Sequence, residues 1–348
     1  MALGPVMLDI EGRQLTPADR ALLAESAVGG VILFSRNYES PSQLAELVAA
    51  IRALRSPPLL IAVDHEGGRV QRFRDGFSAI PPMRQLGRQY DGDTASAVSL
   101  AKTAGWLIAT ELRAMQIDLS FTPCVDLDWG VSDIIGNRAF HRNPDAVADL
   151  AGGYCYGLRE AGMAAVAKHF PGHGAVVADS HDQLPVDRRS YGDLLDDMRP
   201  YEKLIGKRQL AGVMIAHIVY AETDPLPASF SPYWIQDQLR SRLGFDGAIL
   251  CDDLSMQATA TMGSMPKRAG RALAAGCDMV LVCNDRAAAS ATVAALRDYS
   301  NPLSLVRLAR LHGTGQVSRE QLLAGADWQA AAGRLNAWLD RPDLTLDG

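Results

Sequence analysis

LLIAVDHEGGR, residues 59–69, begins as a strand and ends in polar chemistry. Its first five residues are apolar and partly β-branched with no polar alternation, the pattern of a strand covered on both faces, as parallel strands are. At Asp64 the run breaks into charge and then Gly67 and Gly68, as a strand does where it leaves a sheet for a loop. Seven further runs of this kind lie at 5–9, 30–35, 118–125, 164–169, 212–218, 248–252 and 279–283. Between runs, helix starts are marked by Thr16-Pro17, by Ser40-Pro41 with Gln43 three residues after the cap, by Asn143-Pro144 and by Ser231-Pro232. Each places a side-chain oxygen at the cap and proline in the first turn. Strand and helix repeated eight times predict an α/β fold, a single-domain (β/α)8 TIM barrel over residues 1–348, with extra C-terminal helices from about 301. An open doubly wound sheet would need its phosphate fingerprint, yet Gly172-His173-Gly174 runs into Ala175, Val176 and Val177 without a third glycine.

The chain of 348 residues carries 34 Lys and Arg against 40 Asp and Glu, a formal net charge of -6, so no footprint for nucleic acid or an anionic membrane is present. With 48% hydrophobic residues it can bury a large core. The cysteines, 124, 155, 251, 277 and 283, are odd in number, dispersed and without a CxxC pair, which argues against a disulfide framework and a thiolate zinc site. No apolar run reaches membrane-helix length, and the opening MALGPVMLDIEG lacks a basic leader. The expectation is a cytoplasmic protein.

Barrel chemistry sits at the carboxyl ends of the strands. There the sequence places Asp64 to Arg69, then Asp126 and Asp128, Lys168-His169, His217, Asp252-Asp253 and Asn284-Asp285. Any one of these could be a helix cap, but six strand ends together suit a neutral polyhydroxylated ligand, because carboxylates accept from hydroxyls while Arg and Lys donate to them. A metal-dependent hydrolase is disfavoured: His169 and His173 are separated by Phe170-Pro171-Gly172, which cannot continue a helix, and no HxH or HExxH occurs. Neither a GxSxG elbow nor a GxxxxGK[ST] loop is present. Carboxylate chemistry remains, with Asp252 or Asp253 as nucleophile; alternation along a strand lets only one of them face the cavity, and spacing alone does not choose. KHFPGHGAVVADSH, 168–181, reads as a glycine-bearing loop ending in Asp179 and His181, a pair able to give and recover a proton near neutrality, or else two solvated loop residues.

KHFPGHG at 168–174 with ADSH at 178–181, VDHEGGRVQRF at 63–73 and CDDLSM at 251–256 resemble the bacterial β-N-acetylglucosaminidases of glycoside hydrolase family three. The opening GPVMLDIEG, ILFSRNY and CDMVLVCN resemble more closely its cytoplasmic, single-domain branch in peptidoglycan recycling. The resemblance implies that Asp252 attacks the anomeric carbon, that His181 is the general acid/base and that Asp179 orients and charges it. It also implies sugar contacts from Asp64, Arg72, Arg138 in IGNRAF, Lys168 and His169. His65 stands where the family pattern has glutamine, and Ile215 where it has proline.

The implied reaction is retaining hydrolysis of a β-1,4-linked, non-reducing-end N-acetylglucosamine from an anhydro-muropeptide, by a monomer with a carbohydrate partner alone, no metal and no organic cofactor. Two alternatives share the same residues: a phosphorylase that hands the glycosyl intermediate to phosphate, and a sugar-binding barrel without turnover.

Overall fold

The computed structural model describes residues 3–177, 184–315 and 317–339. All eight expected runs form strands: β1 Val6–Asp9, β2 Val28–Leu33, β3 Leu60–Val63, β4 Leu119–Ser120, β5 Val166–Phe170, β6 Gly212–Ile215, β7 Ala248–Asp253 and β8 Met279–Val282. They form one parallel sheet in the order β4, β3, β2, β1, β8, β7, β6, β5. The two ends meet through a parallel bridge from Cys124 to Lys168, supported by Val166 N donating to Thr122 O at 3.0 Å and Val125 N to Lys168 O at 2.9 Å. The sheet thus closes into a (β/α)8 barrel, and closure leaves no exposed strand edge.

The helix starts follow the chemistry of their caps. Thr16 accepts from Asp19 N while Asp19 reaches back, with Pro17 in the first turn, and Asn143 accepts from Asp145 N and Ala146 N. Ser40 accepts from Gln43 N, but the Gln43 side chain accepts from Glu39 N at 2.9 Å, one residue before the cap. Ser231 accepts from Trp234 N at 3.1 Å ahead of the wide-turned helix Tyr233–Arg242. Such caps each contribute about 1 kcal/mol. After β8 come Pro302–Ala309, Arg319–Ala324 and Ala326–Leu339, the expected C-terminal helices.

Strand alternation divides the core in two. Met7, Ile32, Leu60, Ala62, Leu119, Val166, Met214, Ala248, Leu250, Met279 and Leu281 form one buried cluster, which fills the lumen. Val6, Leu8, Val31, Ile61, Val63, Ala167, Val213, Ile215, Ile249, Cys251, Val280 and Val282 join the larger cluster under the helices. Extending the lumen parity one step toward the carboxyl ends reaches Asp64 just past β3, Lys168 on β5 and Asp252 on β7. The apolar filling therefore forms the floor beneath these polar groups.

Two short pairings shape the mouth. His65–Gly67 pairs antiparallel with Val70–Gln71, turning through Gly68 at φ +54°, a conformation that favours glycine. Val186–Asp187 pairs with Val219–Tyr220. Residues 171–177 are also tethered: Tyr220 OH donates to Gly172 O at 2.7 Å, and a Cβ on Gly174 would lie 1.8 Å from Leu127 O. Gly174 therefore serves close backbone approach. All five cysteines are free and buried, and among the described residues no helix is long and apolar enough to cross a membrane.

Candidate active site

The carboxyl ends of the strands open into a cavity of about 410 Å³, a size that suits a sugar. Its lining includes Asp64, Arg72, Arg138, Lys168, His169 and Asp252, so six of the eight sequence-predicted site residues converge on one space. Asp179 and His181 lie outside the described residues.

One wall is a chain of alternating charges. Lys168 Nζ lies 2.7 Å from Asp64 Oδ1 and 2.6 Å from Glu66 Oε1. Arg138 donates to Glu66 through Nε at 2.9 Å and Nη2 at 2.8 Å, a bidentate pair. Burial would raise the Glu66 pKa, but Arg138 and Lys168 hold its carboxyl well below the usual range. Burial would likewise discharge Lys168, and Asp64 and Glu66 keep it cationic. Arg72 stands 3.9 Å from Asp64 and packs its guanidinium 5.9 Å from the Phe34 ring centroid. Its Nε is buried and has no partner among the described residues. The arm that carries Arg138 is held to the Gly68 turn by Arg69, which donates to Asp133 O at 2.7 Å.

The second wall is built on Asp126. It accepts from His169 N at 3.2 Å, His173 N at 2.7 Å and His169 Nδ1 at 2.7 Å. An ionised carboxylate only accepts, so Nδ1 of His169 carries a proton. Despite burial, His169 and His173 keep the Asp126 carboxyl well below its ordinary pKa. Cys124, Asp126 and His169 bring ligand atoms within 4.8 Å of one another, the spacing of a metal site. Their chemistry points elsewhere: burial pushes the Cys124 thiol far up, and both Asp126 oxygens are engaged by N–H groups.

Asp252 completes the floor. Its Oδ1 accepts from Asp253 N at 2.8 Å. Burial would raise its pKa, but His169, the Asp253 N–H and Lys168 together hold it below the ordinary value, so it is a carboxylate at neutral pH. Asp253 also lines the cavity, which corrects the expectation that only one of the pair would. The cause is a register shift between Leu250 and Asp253 at the end of β7, where strict alternation lapses. The Asp253 carboxyl is nonetheless occupied, accepting from Ser255 N and Cys283 N at 3.0 Å and Ser255 Oγ at 2.6 Å, and burial raises it to about 6. A similar shift between Ala167 and Phe170 accompanies the adjacent Lys168 and His169 both lining the cavity.

Glu66, Asp126 and His173 were visible as polar residues near strand ends, but their roles as counter-ion, imidazole holder and cavity wall appear only in three dimensions. His173 is neutral, with burial lowering its pKa to about 4, and its Nδ1 is unpartnered among the described residues. Other strand-end acids have ordinary structural tasks: Asp128 pairs with Arg84 at 3.3 Å, and Asp285 caps Arg286–Ala295. The two departures from the family pattern lie behind the site. His65 packs 5.7 Å from Phe73 and 5.8 Å from Phe77, and Ile215 belongs to the outer core.

A barrel whose mouth joins a half-buried carboxylate to a set of paired charges suits a glycoside hydrolase, and the comparisons give that class. The model of the glycosyl hydrolase family 3 N-terminal domain matches residues 7–311. A β-hexosaminidase of Thioalkalivibrio sulfidiphilus is 55% identical over 347 residues, spanning 100% of both chains. NagZ from Neisseria gonorrhoeae, solved in complex with N-trifluoroacetyl-D-glucosamine, is 44% identical with a TM-score of 0.90, covering 98% of this chain and 99% of that one. A family 3 β-N-acetylglucosaminidase from Paenibacillus sp. is 31% identical with a TM-score of 0.85, covering 95% of this chain and 66% of its own. The chain belongs to glycosyl hydrolase family 3. Within that family it is a β-hexosaminidase.

Proposed function

We propose that the protein is a retaining exo-β-N-acetylglucosaminidase that removes non-reducing-end N-acetylglucosamine from β-1,4-linked, anhydro-terminated muropeptides, acting as a cytoplasmic monomer in peptidoglycan recycling. The observation that carries the reading is Asp252: a half-buried, ionised carboxylate on the cavity floor, with one oxygen held by the next peptide N–H. The N-acetylglucosamine analogue in the Neisseria relative supports the sugar class.

In this mechanism Asp64, Arg72, Arg138, Lys168 and His169 hold the sugar hydroxyls. Asp252 attacks the anomeric carbon and forms a covalent glycosyl ester as the bond to the leaving oxygen breaks and His181 protonates that oxygen. Asp179 supports the charged imidazole. His181 then takes a proton from water, the water oxygen attacks the anomeric carbon, and Asp252 leaves as a carboxylate. Apolar residues of the lumen below exclude solvent, which strengthens each charge interaction.

Incubation with a chromogenic N-acetylglucosaminide and a 2-fluoro or 5-fluoro sugar trap, followed by intact-protein and peptide mass measurement, tests the reading. One glycosyl adduct on the Asp252 peptide is expected. Turnover without any adduct, or an adduct elsewhere, overturns the mechanism. Product analysis with and without phosphate separates hydrolysis from phosphorolysis.

A further inference from the structure

The sixth strand leads into an imidazole for which the hydrolytic scheme has no task. His217 is 1% exposed and follows β6. Its Nε2 lies 3.1 Å from the Asp253 carbonyl oxygen and its Nδ1 2.7 Å from Ser229 Oγ. A carbonyl can only accept, so Nε2 carries the proton. Burial lowers the pKa of the ring although Asp252 opposes the shift, so the imidazole is neutral and Nδ1 offers a lone pair. The fully buried Ser229 hydroxyl must then donate to it. The Phe230 ring stacks at 6.0 Å and 15°, which fixes the imidazole plane. With both nitrogens engaged, His217 has no free position for proton shuttling or metal ligation.

The residue it grips follows the attacking carboxylate. Asp253 donates its N–H to Asp252 Oδ1, and its carbonyl accepts from His217 and from Met256 N at 3.1 Å. Its carboxyl ties to Ser255 and to Cys283 N beyond β8. Asp253 is thus held at its carbonyl and its side chain, and its remaining polar group, the N–H, aims at Asp252.

We propose that His217 and Ser229 are positioning residues for glycosyl transfer: Ser229 sets the tautomer of His217, His217 holds the Asp253 carbonyl, and the Asp253 N–H keeps the Asp252 carboxylate in line with the anomeric carbon. This rests on Asp252 being the nucleophile.

The test compares His217→Ala, His217→Gln, Ser229→Ala and Asp252→Ala for melting temperature, for kcat and KM on an aryl N-acetylglucosaminide, and for the rate of labelling by a fluorinated sugar. A displacement of about 1 Å at a reacting group can cost on the order of 100-fold in rate. His217→Ala should therefore lose about 10- to 100-fold in kcat and in labelling rate, with KM within about threefold of wild type. Ser229→Ala should lose less, because the ring remains. His217→Gln should recover several-fold over His217→Ala, since its amide N–H reaches about as far as Nε2.

Wild-type labelling rates in both His217→Ala and Ser229→Ala, a change in KM alone, or losses that only track the unfolded fraction would overturn the proposal. If His217→Ala does not fold, the labelling rates of Ser229→Ala and His217→Gln decide. Activity retained in Asp252→Ala would instead refute the nucleophile assignment, whatever the His217 variants do.

Discussion

Lys168 and Glu66 meet at 2.6 Å in the wall of the cavity at the barrel mouth, and the same Glu66 oxygen also accepts from Arg138 at 2.8 Å. Two cations proposed to bind substrate thus share one buried counter-ion. Glu66→Gln keeps the shape and removes the charge that both cations face. Breaking a buried pair in this way costs about 3 to 5 kcal/mol. Denaturant unfolding should show that loss together with a raised KM, whereas a neutral Tm and unchanged KM would mean that Lys168 and Arg138 are held by other contacts.

Arg72 occupies a different energetic position: among the described residues its buried Nε has no partner and its ion pair is a long approach to Asp64. Arg72→Ala should weaken sugar binding by roughly 1.5 to 3 kcal/mol, the range of a charged hydrogen bond, with little change in melting temperature. Inhibitor titration by calorimetry checks this. Unfolding without loss of affinity would assign Arg72 to structure.

Asp252→Ala should retain the fold and lose nearly all turnover, because among the described cavity carboxylates Asp64 and Glu66 are paired with Lys168 and Asp253 is tied to Ser255 and Cys283 N, leaving Asp252 the one without a salt-bridge or hydroxyl partner. Asp253→Ala should lose less activity and should still be labelled on Asp252, since the Asp253 N–H survives the substitution. Peptide mapping after trapping distinguishes the two, and the reverse order would exchange their roles.

If His181 donates the proton, its loss matters most where the leaving group needs one. His181→Ala should therefore cleave a nitrophenyl glycoside far better, relative to wild type, than a natural disaccharide. Asp179→Asn should follow the same trend more weakly, since the imidazole remains and only its supporting charge is lost. Equal losses on both substrates would return the pair to the role of polar loop residues.

The His65 imidazole is held neutral by burial and by Arg74 and Arg72, with its pKa down to about 3. In the unfolded chain it titrates near ~6.5. As pH falls below that value the unfolded state takes up a proton that the folded state refuses, so His65 destabilises the fold increasingly down to pH about 3. His65→Gln removes that proton. Between pH 6.5 and 4.5 its stability relative to wild type should improve by up to about 1.4 kcal/mol per pH unit, read from urea midpoints. A pH-independent difference would show that His65 is charged in the fold.

Eight strands, their order along the chain, the four helix starts and the ring of strand-end polar residues are all legible in the sequence. Hydrophobic runs and caps are local physics, set by residues a few positions apart. Parity was not legible: Leu250, Cys251 and their neighbours on β7 are apolar on both faces, because the lumen and the helix layer both exclude water. Only closure of the barrel, with Leu250 inward and Cys251 outward, put Asp252 on the floor of the cavity. The register shift that also brought Asp253 to the mouth depends on β8, a separate strand. Likewise Glu66 was one acid among several until the fold set Arg138, 72 residues away in sequence, and Lys168 around it. The sequence alone determined which residue types stand at the strand ends, because that placement follows from periodicity. Which of them touch, and so which are ionised, neutral or occupied, was decided by tertiary structure, because charge pairing and desolvation are properties of neighbours distant along the chain.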